Sequence, residues 1–180
     1  SRISLFIGFL AAAISTVIGI LIGAISGYYG GKIDDSLMRI TEIFQVIPRF
    51  FLAMLIVALF GAAVTNVILV IAIVTWPVTA RLARAEFIAL RETEFVLAAR
   101  AVGASSMSLI LGEILPNAMP PVIINGSLQV GAAILLEAGL SFLGLGDPNV
   151  ASWGMLLNGA QKFMVHAWWM AAFPGLAIFT

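Results

Sequence analysis

The sequence lacks cysteine altogether, has a single histidine among 180 residues, and is only 10% charged. Without cysteine there can be no disulfide and no thiol chemistry, and the redox compartment is not legible. With His166 alone, a metal site built on several histidines is excluded. The shortage of charge excludes more. A soluble domain carries about 25% charged and roughly 45–50% apolar residues, whereas 62% of this chain is hydrophobic. Nine basic and nine acidic residues cannot keep that much apolar surface in water, so the implied solvent is lipid. No secretory leader is expected, because Ile3–Ser26 is too long for a signal core and no small-residue cleavage site follows it. The chain opens on Ser1 and stops inside the apolar run Phe173–Thr180, which suggests a longer protein with further helices.

A membrane span needs about 20 apolar residues. Four stretches approach that, at Ile3–Gly27, about Leu37–Phe60, Val64–Ala80 and about Ala118–Leu145, and Trp168–Thr180 is a fifth cut short. Arg39, Glu42 and Arg49 place the first half of the second stretch at or near the interface, and Pro48 allows it to bend. Short cytoplasmic loops carry an excess of Lys and Arg. Arg81, Arg84, Arg91 and Arg100 lie between the third and fourth spans; with that segment inside, seven of the nine basic residues are inside, and Trp153, Trp168 and Trp169 become outer aromatic anchors. In the first span Ala11, Ser15, Gly19, Gly23 and Gly27 recur every four residues, a groove of small side chains that admits another backbone. It serves either static helix packing or a mobile contact.

The connection from Arg81 to Pro116 is the one long polar interruption. Arg91, Glu92 and Thr93 break the preceding helix, Glu94–Val102 reads as a short helix, and Gly103 suits its left-handed stop. Ser105 or Ser106 can cap a second helix to about Gly112, after which Pro116, Pro120 and Pro121 restart the chain into the membrane. A plain loop between spans needs only a few residues, so this insertion points to a partner. Ala98 and Ala99 permit close approach, while Phe95, Leu97 and Val102 offer apolar contact. The alternative is a helix lying on the bilayer surface.

The run from Glu94 through Arg100 and Gly103 to Ser106, followed by Ile114-Leu-Pro-Asn117, resembles the EAA loop of binding-protein-dependent ABC importer permeases. Ala98 and Ala99 stand five and four residues before Gly103, and Leu115-Pro116 follows at the family's distance. Gly30-Gly31, Asp35-Ser-Leu-Met-Arg39, Leu136-Glu-Ala-Gly-Leu-Ser-Phe-Leu-Gly-Leu-Gly146 and Ser152-Trp-Gly154 resemble its peptide and nickel branch, the dipeptide and oligopeptide permease C-type subunits. The resemblance covers almost the whole chain. It implies an all-α fold, a polytopic transmembrane helical bundle of the ABC importer permease type, forming one permease domain over residues 1–180 with a cytoplasmic coupling segment at 91–116. It also implies an inner (plasma) membrane location and a subunit of an ATP-driven importer for di- or oligopeptides or nickel.

The partners so implied are a second homologous permease, cytoplasmic ATPase subunits carrying ATP and Mg, an external substrate-binding protein and the lipid membrane, with no nucleic acid. The coupling residues carried over are Ala98, Ala99 and Gly103, with Glu94 and Arg100 adjoining. Two positions depart from the pattern: Leu97 stands where the motif has its glutamate, and Gly112-Glu113 where this branch often has arginine-histidine. Glu94, one turn before Leu97, can partly replace that charge.

The chain itself is not expected to hydrolyse ATP or to hold a metal or cofactor. Gly27-Tyr-Tyr-Gly-Gly-Lys32 lacks the glycine spacing of a phosphate loop, and Ile33 stands in place of the needed Ser or Thr. The serines lie in capping or packing contexts, and no histidine stands near a carboxylate in sequence to activate one. Polar residues within spans are candidates for a pathway. Asn125 and Gln129 can line a hydrated passage or bond between helices, and Glu137 can point into a vestibule or serve structure. Asp147–Ala167 is suited to a short outer helix that meets the binding protein. Asp35, Arg39 and Glu42 are spaced for a local ion-pair set. Rival functions are an ATP-independent channel or secondary transporter, and a membrane scaffold.

Overall fold

The computed structural model describes residues 1–179, and every described element is helical. Helix α1 spans Arg2–Tyr29 and ends at Gly30, which takes φ +65°, a conformation that favours glycine. Helix α2 spans Gly31–Val46 and α3 spans Arg49–Phe60. Pro48 separates them and forces Ile47 out of the helical region. The two helices bend by 85°. The stretch expected at about Leu37–Phe60 therefore bends at Pro48, as the sequence allowed, and its first helix begins earlier, at Gly31. Helix α4 runs unbroken over Val64–Leu90, ten residues beyond the expected Ala80.

Helix α5 covers Glu94–Ala101. A short helix α6, Ser106–Ser108, continues through a π-helical turn, Leu109–Ile114, into α7, Leu115–Phe142. The prolines do not restart the chain as the sequence suggested. In the wider turn the Leu115 amide bonds to the Ile110 carbonyl, five residues back, which makes room where Pro116 would otherwise press on the carbonyl four residues before it. The Asn117 side chain donates to the Glu113 carbonyl at 2.6 Å. Helix α8, Trp153–Ala160, is followed by a 3₁₀ turn at Gln161–Phe163 and by α9, Trp169–Phe179. The short helix expected within Asp147–Ala167 is therefore present. Three helical runs are long and apolar enough to cross a membrane, those containing α1, α4 and α7, and α2 with α3 makes four if the bent pair is one span.

Contacts group the residues into two compact units. The first comprises Ser1–Ile14, Ile47–Val74 and Leu128 onward. Its core holds Ile7, Ala11, Ala53, Val57, Ile71 and Leu140. The Ser4 hydroxyl accepts from the Trp153 amide at 3.0 Å, which ties α1 to the start of α8.

The second unit comprises Ser15–Val46 and Thr75–Ser127. Here the small-residue groove of α1 is filled by α4. Thr75 donates to Ser15 at 3.0 Å. A Cβ placed on Gly23 would lie 2.4 Å from the Ala80 carbonyl oxygen, and one on Gly27 would lie 2.7 Å from the Arg84 carbonyl oxygen. Only glycine permits this approach, as expected for close helix packing. Phe87, Val96, Leu109 and Ile114 form the unit's lower core and are at most 1% exposed. Each such side chain contributes about 1.5–3 kcal/mol relative to exposure to water.

Candidate functional site

The segment expected to couple to a partner begins where α4 ends. Beyond Leu90 the Thr93 hydroxyl donates to the Leu90 carbonyl at 2.5 Å and the Thr93 amide to the same oxygen at 3.0 Å, closing a tight turn. Arg91 in that turn reaches back to α1, donating to the carbonyls of Gly27 at 2.9 Å and Tyr28 at 3.3 Å. These oxygens lie in the last turn of α1, where carbonyls lack helical partners and attract a cation. Two turns earlier, on α4, Arg84 pairs with Asp34 of α2. The segment therefore starts from a corner fixed by two arginines.

Helix α5 has Glu94 in its first turn and Arg100 in its last, both favourable to the helix dipole. Its end is a Schellman turn. The Ala104 amide bonds to the Ala99 carbonyl and the Gly103 amide to the Arg100 carbonyl, while Gly103 takes φ +91°. The Ser105 hydroxyl then accepts from the Ser108 amide at 3.3 Å and caps α6. Both the glycine corner and the serine cap stand where the sequence placed them.

Burial divides the segment into two faces. Val96, Leu109 and Ile114 point into the core with Phe87. Glu94, Leu97, Ala98, Arg100 and Gly103 are exposed, and Ala99 is half-buried. Phe95, Met107 and Leu111 are also exposed, and Val102 is 87% exposed. A Cβ on Gly103 or Gly112 would meet nothing within 4 Å. The outer face is thus small-featured and apolar, with a carboxylate and a guanidinium at the two ends of α5. Such a surface suits docking of a protein. Among the described residues no group of three or more His, Cys, Asp or Glu could hold a metal.

The polar residues of the spans are placed separately. Asn125 is half-buried and donates to the Thr79 hydroxyl at 3.0 Å, a bond between α7 and α4. Gln129 is 6% exposed and Glu137 1% exposed. Glu137 accepts from Ser141 at 2.6 Å, which is the structural alternative for that residue. The local ion-pair set on α2 is corrected. Among the described residues the ion pairs are Arg84–Asp34 and Arg91–Glu92, and neither involves Asp35, Arg39 or Glu42. Sequence reasoning missed Asp34 as Arg84's partner and Arg91 as a cap. One signal was available: Arg84 and Arg91 are seven residues, about two helical turns, apart, so Arg91 continues the face that Arg84 occupies on α4.

Comparison with known proteins gives three results. Residues 19–180 match the family described as binding-protein-dependent transport system inner membrane component. The chain is 41% identical over 179 residues to the dipeptide transport system permease protein DppC of Alkalihalophilus pseudofirmus, an alignment covering 99% of this chain and 59% of that protein. It is also 41% identical over 180 residues to the probable D,D-dipeptide transport system permease protein DdpC of Escherichia coli, covering 99% and 60% respectively. The chain thus spans about 60% of the length of these curated relatives. Its fold is that of a subunit in the inward-facing MetNI methionine ABC transporter, with a TM-score of 0.80 at 18% identity over 99% of this chain and 85% of that one.

Proposed function

The chain belongs to the family of binding-protein-dependent transport system inner membrane components, and from that premise we propose that it is a permease subunit of an ATP-driven importer of di- or oligopeptides. One observation carries the reading: the solvent-facing surface from Glu94 to Gly112, small and apolar outside, and anchored inside by Val96, Leu109 and Ile114. Cytoplasmic ATPases dock on this surface through Leu97, Ala98, Ala99, Gly103 and the flanking charges Glu94 and Arg100. ATP and Mg are bound and ATP is hydrolysed on those subunits. Their closure displaces α5, and the rigid corner at Arg84 and Arg91 passes the displacement to α1, α2 and α4.

A second, homologous permease completes the passage, and an external binding protein delivers solute near α8. Asn125, half-buried in the second unit, is assigned to the polar wall of the passage. The peptide assignment is supported by similarity to dipeptide permeases, and no observation favours nickel.

The test is association of the full-length permease pair with its ATPases in lipid nanodiscs. Gly103→Pro should abolish both association and coupled ATP hydrolysis. Unchanged association and coupling would refute docking at this segment, and uptake driven by an ion gradient without any ATPase would refute the importer reading.

A further inference from the structure

In the first unit a buried carboxylate faces a cavity. Glu137 is 1% exposed. Its Oε1 accepts from the Ser141 hydroxyl at 2.6 Å, while Oε2 is buried without a hydrogen-bond partner in the protein. Beside it lies a cavity of about 10 Å³, with Ile3 and Val67 on its apolar side and Glu137, Ser141 and Ser152 on its polar side. Buried polar groups in folded proteins are almost always hydrogen-bonded, by water where the protein supplies no partner. A water molecule requires roughly 10–15 Å³ and two to four polar partners, and this cavity offers that volume and three side chains.

We propose that Glu137, Ser141 and Ser152 form a binding site for one water molecule that fastens the loop before α8 onto α7. The hydrogen-bond directions are compatible. The water donates one proton to Glu137 Oε2. The Ser141 hydroxyl, whose proton goes to Glu137, retains lone pairs to accept the other. Ser152 is 3% exposed and its oxygen accepts from the Met155 amide at 3.2 Å, so its own proton is free to be donated to the water. A hard divalent cation is a poor fit, since Ca²⁺ takes about six to eight oxygen ligands and Mg²⁺ about six.

The loop lies close enough for one water to span the gap. A Cβ on Gly146 would sit 2.2 Å from the Ser141 hydroxyl oxygen, and one on Gly154 would sit 2.5 Å from the Ala138 carbonyl oxygen. Since Ser152 also caps α8, the water makes Glu137 a positioning residue for that helix. The inference is independent of the proposed transport activity.

Two measurements on the intact membrane protein test it. A structure fine enough to resolve ordered water should show a single peak within hydrogen-bond distance of both Glu137 Oε2 and Ser152 Oγ. Direct pairing of Oε2 with a protein group, or a peak surrounded by six close oxygens, would overturn it. In hydrogen–deuterium exchange, Glu137→Gln keeps a polar partner for the water and should leave amides 143–152 within about twofold of wild type. Glu137→Leu should speed their exchange on the order of tenfold. Glutamine exchanging as fast as leucine, or leucine exchanging like wild type, would sink the proposal; if the leucine variant fails to fold, the glutamine variant and the density still decide.

Discussion

Arg84 holds Asp34 with two hydrogen bonds of 2.5 Å, one from Nε and one from Nη2, to the two carboxylate oxygens, although fifty residues separate them in sequence. Ser26 donates to the same carboxylate. A bidentate guanidinium–carboxylate pair fixes orientation as well as distance, so α2 is held to α4 at a defined angle. The side chains are 35% and 14% exposed, so solvent screening reduces the pair's contribution. A double-mutant cycle with Asp34→Ala and Arg84→Ala should give a coupling energy of about 1 kcal/mol by denaturant titration in detergent. Additive single effects would show that the pair contributes nothing.

The α1 groove predicts a contrast between two glycines. Gly23→Val brings side-chain atoms to within 3 Å of the α4 backbone, a clash that no rotamer of α4 relieves, and should cost about 1–3 kcal/mol or more. Gly112→Ala meets open space and should be neutral within about 0.5 kcal/mol. Yield of monodisperse protein and thermal melting distinguish the two; equal behaviour would mean that α1 does not pack on α4 as described.

Gly103 offers a graded test, because its φ of +91° is the only constraint there and no atom lies near a new Cβ. Asparagine tolerates positive φ better than alanine, and a β-branched residue tolerates it worst. ATPase stimulation by the variants should therefore fall in the order Asn, Ala, Val, with alanine costing about 1–2 kcal/mol locally. An order that followed side-chain size alone would point to steric exclusion of the partner and not to the turn.

Docking and folding should separate at exposed positions. Leu97 is 42% and Val102 87% exposed, so Leu97→Asp and Val102→Asp should leave the melting temperature almost unchanged, as surface substitutions usually stay within about 0.5 kcal/mol. Both should weaken ATPase binding measured by co-purification or surface plasmon resonance. Leu97→Glu restores the charge that the motif ordinarily has, and should retain binding. Loss of folding in the aspartate variants would show that this face is packed within the subunit.

Asn125→Leu removes the bond to Thr79. Interhelical hydrogen bonds of this kind average about 0.6 kcal/mol in membranes, so a melting shift of a few degrees at most is expected. If uptake falls while expression and melting hold, Asn125 serves the passage; if only melting falls, the bond is its whole role.

Much of this protein was legible in its sequence because the deciding physics is local. Composition alone set lipid as the solvent. Pro48 imposed a break by its ring geometry, Gly103 imposed a stop because few other residues accept its φ, and Ser105 marked a helix start by offering an oxygen to a free amide. Over Glu94–Gly112 the small residues Ala98 and Ala99 and the apolar Phe95, Leu97 and Val102 suggested a contact surface, and the structure leaves all of these but Ala99 exposed.

Tertiary structure decided what depends on which helices approach. Asp34 bonds to Arg84 and not to a neighbour on its own helix, because α4 crosses α2 at that point, and no local spacing encodes the crossing. Pro116, Pro120 and Pro121 sit in one continuous helix, because a π turn ahead of them relieves the first proline's clash. Glu137, which the sequence left between a vestibule and a structural role, is enclosed with Ser141 beneath the α8 loop. Sequence fixes backbone preferences residue by residue. Burial and pairing belong to groups brought together by packing, and only the folded arrangement specifies those.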